Sequence, residues 1–372
     1  MSDVVLFELQ ATQSGKQVAI ATLNSERSLN ALSHEMVDLL YPQLMAWQED
    51  SNIALVVLQG AGEKAFCAGG DIVNLYENMV ASAGDYSPAI ESYFKDEYQL
   101  DYLIHTYKKP FVVWGSGIVM GGGLGMMAGA SHRVVTESSR IAMPEISIGL
   151  FPDVGGSYFL NKMPDNCGLF LGLTGASVNA GDAKYINLAD HFIASSDKTE
   201  FIEALQDISW GDTVSLNHEK LSQLMKELEL KSKANIPLSN VQKYKSLIDE
   251  VTNFEKVEDI VFAISNIDSD DKWLTRAQKS LAHGSSISAW LTHQLISNAK
   301  DLSLAQCLRV ELNAAVKCGK FGEFQEGVRA LLIEKDNSPA WKFKTIADID
   351  QESKDWFLSS KWLESEHPLA AL

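Results

Sequence analysis

MGGGLGMMAGASHRVVTESSRIAMPEISIGLFPDVGG, residues 120–156, is the stretch that decides how this chain is read. It joins a polyglycine turn, a helical run and short strands to two carboxylates, Glu145 and Asp153. Gly121-Gly122-Gly123 follows an apolar strand pattern at Phe111 to Trp114 and precedes a small-residue helical run from Leu124 to Ala130. Glycines at such a junction let a ligand approach the backbone, with the first amides of the helix pointing at it. Those amides stabilise negative charge, whether a standing phosphate or a transient oxyanion. Acyl chemistry needs donors of that kind together with a nearby acid or base.

Outward from this stretch, Val4 to Leu9, Val18 to Leu23 and Ile53 to Leu58 alternate or run apolar and predict strands. A helical pattern spans about Ser33 to Gln48, with Ser33 as its N-cap. Further helices are predicted from about Ile72 and from about Ile90 to Tyr107. Short strands are predicted at Arg133 to Thr136 and Arg140 to Met143. Two strands and a helix, recurring, fit a spiral of ββα units, and periodicity alone equally allows a generic α/β sandwich. From about Lys198 helical patterns dominate, including Glu219 to Lys233 and an amphipathic segment from Trp290 to Leu308. Pro237 and Asp268-Ser269-Asp270-Asp271 read as loops. The expected organisation is an α/β core over residues 1–200 and a mainly helical region over 201–372.

Composition narrows the function classes. A formal net charge of −18 over 372 residues opposes binding to nucleic acid or an anionic membrane. Cys67, Cys167, Cys307 and Cys318 are scattered without CxxC spacing, which predicts free thiols in a reducing cytoplasm. The amino-terminal MSDVVLFELQ has neither the charged start and apolar core of a signal peptide nor an Arg-rich transit pattern. His132, His191 and His293 have no metal-ligand spacing, so no metal is expected.

Taken together, MGGGLG, MPE and GLFPDVGG, with Lys64–Asp71 (KAFCAGGD) upstream, resemble the crotonase, or enoyl-CoA hydratase/isomerase, superfamily. Within it the 3-hydroxyisobutyryl-CoA hydrolase branch is the best match. The resemblance extends from Arg27-Ser28-Leu29-Asn30-Ala31-Leu32 to Glu326–Asp336 (EGVRALLIEKD). It implies a crotonase-like spiral of ββα units with a helical C-terminal region. It also implies an acyl-CoA thioester hydrolase of valine breakdown that needs no cofactor, since coenzyme A belongs to the substrate. Trimers or hexamers are the assemblies it suggests.

The resemblance assigns the oxyanion donors to the N–H groups of Gly70 and Gly122; losing one such donor costs about 10²–10³ in rate. It makes Glu145 either a nucleophile forming a mixed anhydride or a general base acting on water. Asp153 would contact the reacting group or substrate hydroxyl and take part in proton transfer, and Glu97 would line the pocket. Arg27, Ser28 and the backbone at Ala68 would meet coenzyme A, with Lys64 and Lys335 as weaker phosphate contacts. Each has an ordinary alternative. The glycines serve as turns, Pro-Asp before glycine is common turn chemistry, and a glutamate on a charged helix usually faces water.

One departure is informative. Hydratases of this superfamily carry a catalytic glutamate three residues after the oxyanion glycine, where this chain has Gly125. The two-glutamate addition of water to a double bond then lacks one partner, which favours the hydrolase over an enoyl-CoA hydratase or isomerase. Gly123–Ala128 also fits the dinucleotide fingerprint GxGxxA, but the preceding strand pattern ends several residues too early. A catalytically silent scaffold of the same fold is the remaining alternative, and both glycine turns with both carboxylates weigh against it.

Overall fold

In a six-stranded sheet covered on both faces, the central strands must be apolar throughout, and IALVVLQG and FVVWG are. They form β3 (Ile53–Gly60) and β5 (Phe111–Gly115), which are buried along nearly their whole length. The computed structural model describes residues 3–372; Met1 and Ser2 lie outside the described residues. The other strands are β1 (Val5–Ala11), β2 (Gln17–Leu23), β4 (Ala65–Cys67), β6 (Ile118–Met120), β7 (His132–Val135), β8 (Arg140–Ala142) and β9 (His191–Phe192). The large sheet has the order β1-β2-β3-β5-β7-β9, and a three-stranded sheet has the order β4-β6-β8. Only β1 is antiparallel to its neighbour in the large sheet.

The two orders advance in step. β3 then β4, β5 then β6, and β7 then β8 each send one strand to the large sheet and the next to the small one. Helices α2 (Ile72–Ala81) and α4 (Gly122–Gly129) close the first two of these turns. That is the ββα spiral, and it settles the choice against a generic α/β sandwich.

The chain forms two compact units, each discontinuous in sequence. The first comprises the chain up to Gly70 with Leu100–Ile141 and Val178–Gln242; the second comprises Asp71–Gln99, Ala142–Ser177 and Lys243–Leu372. In the first unit, Val18, Ile20, Leu55, Val57, Val112, Trp114 and Val134 form one face of the large sheet. Helices Lys198–Asp207 and Val214–Ser232 cover it through Phe201, Leu205, Leu221, Met225 and Leu228. Helix α1 (His34–Glu49), capped by Ser33 accepting from the Met36 N–H at 3.2 Å, packs on β1 to β3. Helices beyond Lys198 are thus shared between the units.

The second unit is helical. Trp290 to Leu308 is not one helix, as its pattern predicts. Helix Ser286–Asn298 ends before a turn, and Leu304–Phe321 restarts behind a capping box in which Ser303 and Gln306 satisfy each other's N–H groups. Such a cap contributes about 1 kcal/mol, enough for a local signal to break a continuous apolar stripe.

The turn Glu145–Ile148 is seated by close backbone approach within this unit. Ser285 N–H donates to the Ile146 carbonyl at 3.0 Å. Gly149 ends the turn at φ +72°, and a Cβ there would stand 2.3 Å from the Glu323 carbonyl oxygen. Left-handed backbone and a backbone obstruction act together, so Gly149→Ala is expected to destabilise the protein by at least about 2 kcal/mol. Urea unfolding measures this, and an unchanged midpoint would show that the turn is not held where the fold places it.

Candidate active site

In the first unit the two glycine turns meet. Gly122 is the first residue of α4, so its N–H has no acceptor within the helix. A Cβ on Gly123 would lie 2.5 Å from the Cys67 carbonyl oxygen, and one on Gly69 would lie 3.5 Å from that of Met120. The strand leading to Gly70 and the start of α4 are therefore adjacent, at a spacing that only glycine permits at position 123. The Arg27-Ser28 loop is stapled to the same strand: Ala68 N–H donates to Leu29 at 3.1 Å, and Leu32 N–H to Gly69 at 2.8 Å. Asn30 holds this loop from beneath through the carbonyls of Ala61 and Ala65, at 3.0 and 2.9 Å. Arg27, Ser28 and Lys64 are exposed, and Gly125 is buried within α4.

The carboxylates lie in the second unit, inside rather than on it. Glu145, Asp153 and Glu97 are 5 %, 4 % and 2 % exposed. Helix α3 (Pro88–His105) places Glu97 on the stripe of Ile90, Tyr93 and Phe94, so it faces the core and not water. Tyr93 Oη donates to Glu97 at 3.4 Å, and Tyr98 Oη donates to Asp153 Oδ2 at 2.8 Å. Glu145 Oε2 is buried and has no hydrogen-bond partner among the described residues. A carboxylate oxygen in that state raises the energy of the ionised form and leaves a site for an incoming donor or electrophile.

Electrostatics follow from burial. Glu145 is held well above the usual carboxylate range, first by burial and then by the charge on Asp153. Asp153 is pushed up to about 7 by burial, against the pull of the Tyr98 hydroxyl. Glu97 is raised by burial and by Asp153.

Two residues that sequence reasoning missed organise this region. Tyr98 is one, and Glu311 on helix Leu304–Phe321 is the other. Fully buried, Glu311 accepts from the N–H groups of Gly155 at 2.7 Å and Ser157 at 2.9 Å, and from Ser157 Oγ at 2.5 Å. Between Asp153 and these anchors the backbone is strained, with Val154 at φ 53° and Gly155 at φ 83°. A β-branched residue in that region costs of order 1–3 kcal/mol and persists only where its surroundings enforce it. Glu311 supplies that enforcement. Its signal is present in the sequence, because Leu304, Cys307, Leu308, Glu311, Leu312 and Ala315 share one buried stripe.

The remaining candidates are peripheral. His132 is stacked between His191 and His218, with ring centres 6.2 and 5.4 Å away, and all three belong to the first unit. Lys335 is exposed beyond the Arg329–Ile333 turn of the second unit.

This chain belongs to the enoyl-CoA hydratase/isomerase family, whose model matches residues 18–358. Among its relatives is the mitochondrial 3-hydroxyisobutyryl-CoA hydrolase of Danio rerio, 38 % identical, with the match covering 96 % of this chain and 89 % of the relative. Two solved structures superpose on it with a TM-score of 0.81. They are a carnitinyl-CoA dehydratase from Mycobacterium thermoresistibile, 31 % identical and covering 96 % and 97 % of the two chains, and an enoyl-CoA hydratase from Rhodobacter sphaeroides, 28 % identical and covering 95 % and 97 %. The fold is therefore the crotonase fold. The expectation of a cytoplasmic protein is overturned, because the curated hydrolase relatives are named as mitochondrial. The four cysteines are buried and none is in a disulfide, which does not distinguish one compartment from another.

Two outcomes test this site. Glu311→Gln keeps the shape but sets an amide against N–H donors, so it should cost about 1–3 kcal/mol of stability and lower turnover as the Asp153 loop relaxes. Chemical denaturation together with an activity assay checks both effects, and an unaltered enzyme would remove the clamp. The second outcome concerns pH. A buried carboxyl with a raised folded value retains its proton where the unfolded chain has released it. Its stabilising contribution is complete below the unfolded range near 4 and is lost as pH rises through about 7 for Asp153. Asp153→Asn should therefore flatten the fall in melting temperature between about pH 5 and about pH 8. An equally steep fall in the variant would remove Asp153 from that titration.

Proposed function

We propose that this chain hydrolyses 3-hydroxyisobutyryl-CoA to 3-hydroxyisobutyrate and free coenzyme A, a step of valine breakdown. The observation that carries the reading is Glu145: a buried carboxylate with an unpartnered oxygen, within reach of the charge of a second buried carboxylate, in a chain similar to hydrolases of that name. The thioester carbonyl oxygen gains negative charge as its carbon becomes tetrahedral, and the N–H groups of Gly70 and Gly122 receive that charge. Glu145 acts in one of two ways. As nucleophile, its oxygen bonds to the carbonyl carbon, the C–S bond breaks, and water then opens the mixed anhydride. As general base, it takes a proton from a water whose oxygen makes the same attack. Asp153, titrating near 7, returns a proton to the departing sulfur or holds the substrate hydroxyl.

Coenzyme A is bound by Arg27, Ser28 and the backbone at Ala68, which share one stapled loop and strand, with Glu97 facing the acyl group. An assembly of three or six copies accords with the family. The solved neighbours are named as a dehydratase and a hydratase, but Gly125 offers no side chain for the second carboxylate that addition across a double bond requires.

Glu145→Gln should lower kcat by about 10²–10⁴ while leaving coenzyme A affinity within a few-fold. Release of free thiol from 3-hydroxyisobutyryl-CoA gives the rate, and the enoyl absorbance of crotonyl-CoA should persist. Fast hydration of crotonyl-CoA with no thiol release would overturn the hydrolase reading. One turnover in ¹⁸O-water separates the two routes, since only the anhydride route can place the label in the Glu145 carboxylate.

A further inference from the structure

The first unit contains a cavity of about 560 Å³ that none of the chemistry above uses. Its position is defined by the large sheet. Gly60 ends β3, Ser116 follows β5, Ser138 follows β7 and Ser195 follows β9, and all four line the cavity. These are the carboxyl ends of four neighbouring parallel strands. Open α/β sheets bind ligands in crevices outside that edge, where successive connections part and leave room. The volume falls within the range of small-molecule sites.

The lining is polar, with one cation. Hydroxyls of Ser116 and Ser138 lie 3.2 Å apart, and Ser138 Oγ also receives the Gly117 N–H at 3.2 Å. Lys198 reaches into the cavity from the start of helix Lys198–Asp207, with Nζ 5.8 Å from the centre of the Trp114 ring. In the same unit Lys16, Lys184 and Lys231 each hold a carboxylate, on Asp212, Glu229 and Glu200. Lys198 holds none among the described residues, although it is partly withdrawn from water and burial alone lowers its affinity for a proton. The nearby Glu137 carboxylate is already bound by the N–H and hydroxyl of Ser195, and Glu63, which also lines the cavity, is exposed. In a chain of net charge −18, a half-buried ammonium without a counter-ion is an arrangement an external anion would complete.

We propose that this cavity is a second ligand site, separate from the thioester chemistry, that takes a small phosphate monoester. Lys198 pairs with the phosphate, the serine hydroxyls donate to its remaining oxygens, and the rest of the cavity receives the ester group. Several hydroxyl donors around one cation suit the oxygens of a phosphate better than a flat carboxylate.

The test uses the full chain, with glycerol 3-phosphate as probe and glycerol as control, read as melting temperature with and without saturating coenzyme A. The phosphate ester should raise the melting temperature, coenzyme A should leave that increment intact, and glycerol should do nothing. Lys198→Met, which removes the charge from a side chain of similar length, should weaken the probe at least about tenfold. Lys198→Arg should retain it, and Ser138→Ala offers an independent variant if the methionine form does not fold. Equal increments in the parent and Lys198→Met would mean general salt stabilisation and would overturn the proposal. So would an increment abolished by coenzyme A, which would place the phosphate in the substrate's own site, or no increment at all.

Discussion

The helical unit buries the carboxyl groups of Glu97, Glu145, Asp153, Glu311 and Glu323, and the balance between that cost and the hydrogen bonds that offset it governs the candidate site. Glu311 sits at the favourable end of the balance. Two backbone N–H groups and a hydroxyl converge on its side chain, so its burial is compensated and it can impose an unfavourable conformation on the Val154-Gly155 backbone. Asp153 is intermediate, with a single tyrosine donor. Glu145 is at the unfavourable end, with one oxygen that nothing in the described residues satisfies. A graded series of this kind divides the roles: the satisfied carboxylate fixes geometry, and the unsatisfied one keeps an oxygen open to a partner.

The same division applies to the backbone. Glycine at positions 123 and 149 is required because another chain segment approaches too closely for a side chain, and at position 69 because the backbone turns at φ +107°. Close approach brings the strand that leads to Gly70 against the start of the helix at Gly122 in the spiral unit. In the helical unit it fixes the turn that presents Glu145. Small residues thus set the position of the chemistry, while the carboxylates set its charge state.

Most of the strands were legible in the sequence, while their arrangement as a spiral was implied only by the family resemblance. Strand periods at Val18–Leu23, Ile53–Leu58 and Phe111–Trp114, together with the two glycine turns, are local signals, and the structure realises them. What was not legible depends on long-range pairing or on which face of a helix meets the core. Glu311 stands 154 and 156 residues from its partners Ser157 and Gly155, and no local pattern announces that pairing. Glu97 was read as equally suited to water or pocket, although its spacing from Tyr93 and Ile90 already placed it on the buried stripe. The break between Asn298 and Leu304 was missed because apolar periodicity continued across it while the capping residues Ser303 and Gln306 ended it. Compartment was misjudged because thiol chemistry reports redox state and not address.

The interlaced chain has a consequence for biosynthesis. Each unit takes segments from both sides of the other in sequence, so neither corresponds to a continuous stretch that can fold as it leaves the ribosome. The spiral unit is not complete until Gln242 has emerged. The helical unit, begun at Asp71, waits for the segment that starts at Lys243, including the helix bearing Glu311. Until then Glu97, Glu145 and Asp153 belong to a half-built interior open to water. Contacts that close late and over long distances slow folding and expose apolar surface meanwhile. Glu97, Glu145 and Asp153 therefore acquire their buried surroundings only once the helix bearing Glu311 has been made.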